Sequence, residues 1–575
     1  MATTDFTKVL IKDDRIANLT DSVKYGVVKG GQNITSASYM AQSATNSAHT
    51  YSVQVPSEMV IISREVMWSN TITFKITGIP ADGDYLVNYG TTDAFAPFAM
   101  NQMVETMSST INNNTVSLNV KDVLAPILRL HDSRELSRYN GLTPTMVDTY
   151  KNYADAGESS NNPLGNYTNI TDNDVQPRGA FNILRIAGNT VQAGGGFNAH
   201  TLKTVYITVQ LTEPLLSSPW IFSNPESNNQ GMYGVQTLHF QFNLDSTCRR
   251  VWRTSRAIAN YNVVVEGQGG ATGWTESKLI FTYISPHPSD LLPSRNVVPY
   301  MNLERFIYNQ FNVLNFNTTT TLQSQTLQLN SIPDRIFVLI RKRMTDQTYT
   351  DTDSFLTIQG ISINFNNNSG LCSSMTQQDL YKCSVRNGIN QSWQEFSGRA
   401  NGAMVDGALT SIPTSGSVLC LAFGTDIQLS EDYLSQGSIG SYQLSLKVDV
   451  LNQQIGAGAN NVNNIVPELV IITQTSGIMV NEKGTCSTFL GLLTKSDVLE
   501  ASTQQPYSKS AVKRLVGGGW FDDLKAVAGQ VLPKVKSALP FVAPMLGIDK
   551  DNAKKAAELI GAVGYGKGKL NSRLS

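Results

Sequence analysis

The feature that most constrains this chain is a recurrence within itself. The stretch Val55-Pro56-Ser57-Glu58-Met59-Val60-Ile61-Ile62-Ser63-Arg64-Glu65-Val66-Met67 returns as Ile332-Pro333-Asp334-Arg335-Ile336-Phe337-Val338-Leu339-Ile340-Arg341-Lys342-Arg343-Met344. Pro, Arg and Met stay in step, with an apolar run in the same place. Further on, Ile111-Asn112-Asn113-Asn114-Thr115 leads into a helical pattern around Lys121–Leu124. Phe365-Asn366-Asn367-Asn368-Ser369 leads into one around Gln378–Leu380. Either match alone could be two unrelated strands beside a turn. Both, in the same order, predict two related domains.

The domains are predicted to be mainly β. Short apolar runs alternate with Gly, Pro, Asn and Ser clusters from about residue 48 to 490: Met59–Ile62, Thr71–Ile76, Thr204–Leu211, Leu238–Leu244, Leu279–Ile284, Ile336–Ile340, Ser417–Phe423 and Tyr442–Val450. Several alternate with period two, the mark of a strand with one buried face. Helices are expected at Val120–Tyr139, Met146–Asp155 and Gln377–Asn387. Charged residues make up 15% of the 575 and the net charge is −1, against ~25% charged in ordinary soluble domains. A surface so weakly charged suits a protein whose flanks are covered by other subunits. It fits neither a disordered chain nor a long helical one.

Boundaries follow from the punctuation. We expect an N-terminal arm over 1–47, a first β-domain over 48–290 and a linker over 291–302. A second β-domain follows over 303–490, then a flexible linker over 491–518 and an amphipathic basic tail over 519–575. The seam carries Pro286, Pro288, Pro293 and Pro299, each of which removes a backbone donor. Asn161–Gly196 and Asn224–Gly234, rich in Asn and Gly, are expected as loop insertions. Residues 509–575 hold twelve Lys/Arg against five Asp/Glu.

Chemistry is sparse. The five cysteines (Cys248, Cys372, Cys383, Cys420 and Cys486) are far apart and form no CxxC pair, so free thiols are expected and no zinc site. The five histidines lack metal spacing, and no phosphate loop or GxSxG elbow occurs. His239 sits in an alternating strand pattern and reads as a strand residue. Hence no catalytic residue, no cofactor and no metal is expected, and the chain is not read as an enzyme. Arg249-Arg250-Val251-Trp252-Arg253-Thr254-Ser255-Arg256 could hold phosphate or a base; an inter-subunit contact is the preferred reading. The first residues, MATTDFTKVLIKDDR, do not have the build of a secretory signal.

Two consecutive β-domains, a proline-rich seam and a weakly charged, loop-rich surface resemble the double jelly-roll major capsid proteins of small icosahedral DNA viruses, of the virophage and polinton-like type. The run Ser294-Arg295-Asn296-Val297-Val298-Pro299-Tyr300 followed by Leu303-Glu304-Arg305-Phe306-Ile307 is similar to the inter-domain stretch of such proteins, and the likeness spans roughly residues 50–490. It implies two eight-stranded jelly rolls side by side and a homotrimer with pseudo-hexagonal outline that tiles an icosahedral shell. The other partners it implies are penton and minor capsid proteins, and its location is the virion, assembled inside the host cell. Two alternatives stay open: an RNA-virus capsid protein with shell and projection domains and a lytic tail, and, more distantly, a carbohydrate-binding β-sandwich protein.

The tail carries the candidate sites. Leu515-Val516-Gly517-Gly518-Gly519 resembles the recognition pattern of adenovirus-type cysteine proteases, with Leu515 in a distal pocket and Gly517, Gly518 and Gly519 leaving a narrow cleft unobstructed. A viral cysteine protease is thus an expected partner. Beyond it, Trp520, Phe521, Leu524, Val527 and Val531 give a helical segment with an apolar, membrane-active face, while Lys525, Lys534 and Lys536 supply charge. A lipid membrane and the genome are both open as partners of this basic tail.

Overall fold

The computed structural model describes residues 34–490, apart from internal segments, chiefly 150–181, 189–201, 221–230, 287–294, 430–435 and 454–463. The tail, and with it every candidate residue from Leu515 to Val531, lies outside the described residues.

Two four-stranded frameworks make the first half. One sheet runs β1 (Ile34–Met40), β9 (Trp274–Ile284), β3 (Met67–Ile79), β7 (Lys203–Pro214) and, at its edge, β6 (Asn182–Gly188). The facing sheet runs β2 (Ala48–Gln54), β8 (Thr237–Leu244), β4 (Val104–Ile111) and β5 (Asn114–Leu118). The second half repeats the plan. Its first sheet is β10 (Arg295–Asn309), β18 (Pro467–Glu482), β13 (Arg335–Lys342) and β16 (Leu419–Ala422), with β19 (Thr485–Leu490) also beside β18. Its second sheet is formed by β11 (Thr319–Gln323) and β12 (Leu327–Ser331), both along β17 (Ile439–Leu451), then β14 (Thr357–Phe365) and β15 (Asn368–Leu371). Strand for strand the orders coincide, all neighbours are antiparallel, and each half is an eight-stranded jelly roll.

The asparagine landmarks mark equivalent turns. Asn112 and Asn366 both take left-handed backbone, with φ of 52° and 51°. Each turns one strand into the next, β4 into β5 and β14 into β15. The Asn112 side-chain oxygen accepts from the amide of Gln236 at 2.8 Å, and that of Asn366 from the amide of Gln443 at 2.8 Å. Asparagine tolerates this conformation better than other residues bearing a Cβ. Helix α1 (Val120–Arg129) follows β5, and helix α2 (Gln377–Arg386) follows β15 at the equivalent place.

The proline landmark is different. It aligns Ile61-Ile62, a two-residue strand, with β13, whereas the sheet orders make β3 the counterpart of β13 in the first half. The apolar run before Arg64 is therefore not the equivalent of the one before Arg341.

Five other expectations are corrected. Residues 34–47 are not all arm, since β1 pairs with β9 from Ile34↔Ile284 to Met40↔Lys278. The expected linker supplies the start of β10, a fifteen-residue strand that includes Pro299. Pro299 lies opposite Ile478 on a strand at the end of its sheet path, where a missing N–H can point away from the ladder. The single helix expected over Val120–Tyr139 stops at Arg129, and a new one begins at Ser133 because Asp132 and Glu135 form a capping box. Met146–Thr149, the described part of the helix expected at Met146–Asp155, is not helical. Of the expected insertions, Asn161–Gly196 contains β6, which pairs with β7.

The turn at Asn366 supplies a test. Asn366→Val forces a β-branched residue into left-handed backbone and removes the acceptor for Gln443, and should cost about 2 kcal/mol. Asn366→Gly should lose roughly half of that, because the backbone strain is absent. Thermal unfolding of the two variants beside the wild type measures the order.

Candidate functional site at the junction of the jelly rolls

The two jelly rolls meet along one sheet of the second half. The sheet β10-β18-β13-β16 is apolar on both faces. On β13, Ile336, Val338 and Ile340 turn into the core of the second jelly roll, with Leu469, Ile471, Leu419 and Leu421. Phe337 and Leu339 turn the other way and join Val470, Ile472, Val418 and Cys420 in a cluster continuous with the first jelly roll. That is why β13 reads as an unbroken apolar run while β7 alternates.

Two charged knots sit in this seam. In the first, Asp122, in the opening turn of α1 and fully buried, accepts from Arg341 Nη2 of β13 at 2.5 Å. Arg305 Nε of β10 lies 3.0 Å from its other oxygen. Arg341 also donates through Nε to Glu468 of β18 at 2.5 Å. Burial alone would lower the Arg341 basicity, but Asp122 and Glu468 together raise it, so the guanidinium stays charged. The N-terminal end of α1 adds favourable dipole at the Asp122 carboxylate.

In the second knot, Asp353 of the second jelly roll enters the first. Its Oδ1 lies 3.3 Å from Arg250 Nη2 and 3.5 Å from Arg253 Nη2. Its Oδ2 accepts from Gln102 Nε2 at 2.8 Å. Burial would raise this carboxyl, yet Arg250 and Arg253, with the Gln102 amide, hold it down to about 2. Arg250 further donates to the Lys121 carbonyl at 2.5 Å, tying the knots together through α1.

The arginine-rich segment is thus engaged chiefly within the chain. Arg250 and Arg253 are buried within the chain, Arg256 pairs with Asp93 at 3.0 Å, and Arg249 donates to the Thr345 carbonyl at 2.9 Å. Trp252 is buried, its Nε1 donating to Tyr261. His239 is an exposed strand residue on β8. All five cysteines are free thiols. Asp122, Asp353 and Glu468 were not singled out by the sequence, where nothing links three carboxylates so far apart. Among the described residues no helix is long and apolar enough to cross a membrane, and no group of three or more His, Cys, Asp or Glu could hold a metal.

Removing one partner of a buried knot should be severe. Asp122→Ala or Asp353→Ala leaves buried guanidiniums unpaired and should cost about 3–5 kcal/mol. Because the folded pKa of Asp353 lies below its unfolded value, its contribution is present above about pH 4 and disappears as pH falls towards 2. Acid titration of wild type and Asp353→Asn, followed by intrinsic fluorescence, should show the acid transition of the variant losing steepness in that window.

Two family models match the chain in order: Sputnik virophage major capsid protein 1st domain over residues 4–284, and Major capsid protein V20 C-terminal domain over residues 303–477. Between them they cover more than three-quarters of the sequence. The chain is 25% identical to capsid protein V20 of Sputnik virophage, over 97% of this chain and 93% of that one. The fold matches the cryo-EM structure of the Sputnik virophage, with a TM-score of 0.69 and 24% identity over 88% of this chain and 98% of that one. It also matches the crystal structure of the mavirus major capsid protein, with a TM-score of 0.64 and 16% identity over 85% and 95%. Two like jelly rolls leave no room for the shell-and-projection plan or the carbohydrate-binding sandwich. With both halves matched in sequence and the whole architecture matched in space, the chain belongs to the double jelly-roll major capsid proteins of virophage type.

Proposed function

We propose that this capsid protein closes into a homotrimer of six jelly rolls, a capsomer of pseudo-hexagonal outline that tiles the shell together with penton and minor capsid proteins. The carrying observation is the charged, apolar junction, which fixes two similar jelly rolls as one rigid body. Rigid halves give the subunit two similar outer flanks, as a three-fold ring with six near-equivalent sides requires. Obligate contacts of this kind bury on the order of 2,000 Å² or more. Sedimentation of the purified chain should give three times its 62.7 kDa mass. A monomer at all concentrations overturns the trimer.

The tail is assigned a second, separable role. A viral cysteine protease cuts between Gly518 and Gly519 in Leu515-Val516-Gly517-Gly518-Gly519, and releases the segment beginning Trp520-Phe521, with Leu524, Val527 and Val531 on its apolar face. Two glycines beside the cut suit a narrow cleft, and the sequence before it, Ser502–Lys513, has the composition of an accessible linker. Intact-mass measurement on mature particles should find a subunit ending at Gly518; one that still ends at Ser575 sinks the cleavage. Dye release from anionic liposomes by the full chain, compared with a chain ending at Gly518, distinguishes a membrane role from binding of genome phosphates. No release by either favours the genome.

A further inference from the structure

The core of the first jelly roll holds a polar ladder that runs from one sheet to the other. His49 on β2 is fully buried, its ring edge-on to Trp274 of β9 at 4.2 Å and to Trp68 of β3 at 6.0 Å. Its Nδ1 lies 3.2 Å from Ser277 Oγ on β9 and 3.4 Å from the Tyr51 hydroxyl. Tyr51 accepts from Trp68 Nε1 at 2.8 Å and lies 2.6 Å from Ser277 Oγ, which in turn donates to Asn70 Oδ1.

The Nδ1 atom of the buried ring is thus tied to β9 through Ser277 and to its own strand through Tyr51.

A second proton would find little support. From β8, Phe242 is the residue paired with His49; from β3 come Trp68 and Asn70; from β9, Trp274 and Ser277. Burial drives the imidazole down to about 4, against a smaller opposing pull from the Thr45 carbonyl. Burial also pushes Tyr51 up to about 12, so it remains a neutral donor. Two ion pairs on the facing sheet's strands, Lys278–Glu276 at 2.6 Å on β9 and Lys75–Glu266 at 2.8 Å from β3, are each closed on themselves and partly exposed.

We propose that His49 is an acid-sensitive latch between the two sheets of the first jelly roll: its enclosure among Trp68, Trp274 and Phe242 holds the neutral ring and has no place for the charged one. The unfolded chain takes up its proton near pH 6.5, while the fold resists until about 4. Stability therefore falls as pH drops through 6.5 and levels off near 4. Between pH 7.5 and pH 5 this one group raises the unfolding constant about 30-fold.

The test uses the full chain. His49→Asn keeps a hydrogen-bonding group near the Nδ1 position and cannot titrate. Between pH 7.5 and 5 the thermal midpoint of the wild type should fall further than that of the variant. His131, also buried and lowered in basicity, is present in both and cancels. Should the variant not fold, hydrogen–deuterium exchange at the imidazole Cε1 of the wild type reads His49 directly. A midpoint well below 6.5, with amide exchange in Ala48–Gln54 and Trp274–Ile284 accelerating at pH 5 beyond the intrinsic rate change, supports the latch. Coincident pH slopes, or a midpoint at or above 6.5, overturn it.

Discussion

A carboxylate with no access to water must have its charge met by other groups, and the architecture of this subunit hangs on how that requirement is met at Asp122. The residue sits in the first turn of α1, on the first jelly roll; its cations, Arg341 and Arg305, come from β13 and β10 of the second. Neither half can satisfy the charge alone. A buried ion pair is weak evidence for stability in itself, but losing one partner is heavily penalised. The knot therefore acts mainly on geometry, forbidding the halves to slide or rotate. Asp353 repeats the device in the opposite sense, an acid of the second half held by arginines of the first.

The apolar side of the seam supplies the binding energy that the ions do not. Strand β13 divides its side chains between two clusters, and β18 does the same. One sheet is consequently a shared wall. A second jelly roll cut from the chain would expose Phe337, Leu339, Val470 and Ile472 to water, so the two domains of the topology are not two units of stability.

What the sequence revealed depended on how local each determinant is. The asparagine turns, β7 and β17 were legible because turn chemistry and period-two patterning act over a few residues. The capping box at Asp132 and Glu135 was equally local, yet the apolar spacing across it suggested one unbroken helix. The proline landmark misled because a proline, an apolar run and an arginine recur for different reasons, once before a two-residue bridge strand and once at the seam. The junction was not legible. Asp122, Arg250, Arg341, Asp353 and Glu468 span more than three hundred positions, and only the fold brings them together. Arg249–Arg256 was noticed for its charge, but its destination inside the chain required knowing where Asp353 would lie.

Strand β10 has a further consequence. Fifteen residues of extended backbone at the end of a sheet path are an invitation for a strand from another molecule to add on, and such growth has no natural stopping point. Pro299 interrupts the row of donors partway along. A stray strand docking there meets a gap in the ladder and a ring in its path. The residue that looked like a breaker of structure thus serves as a guard on it.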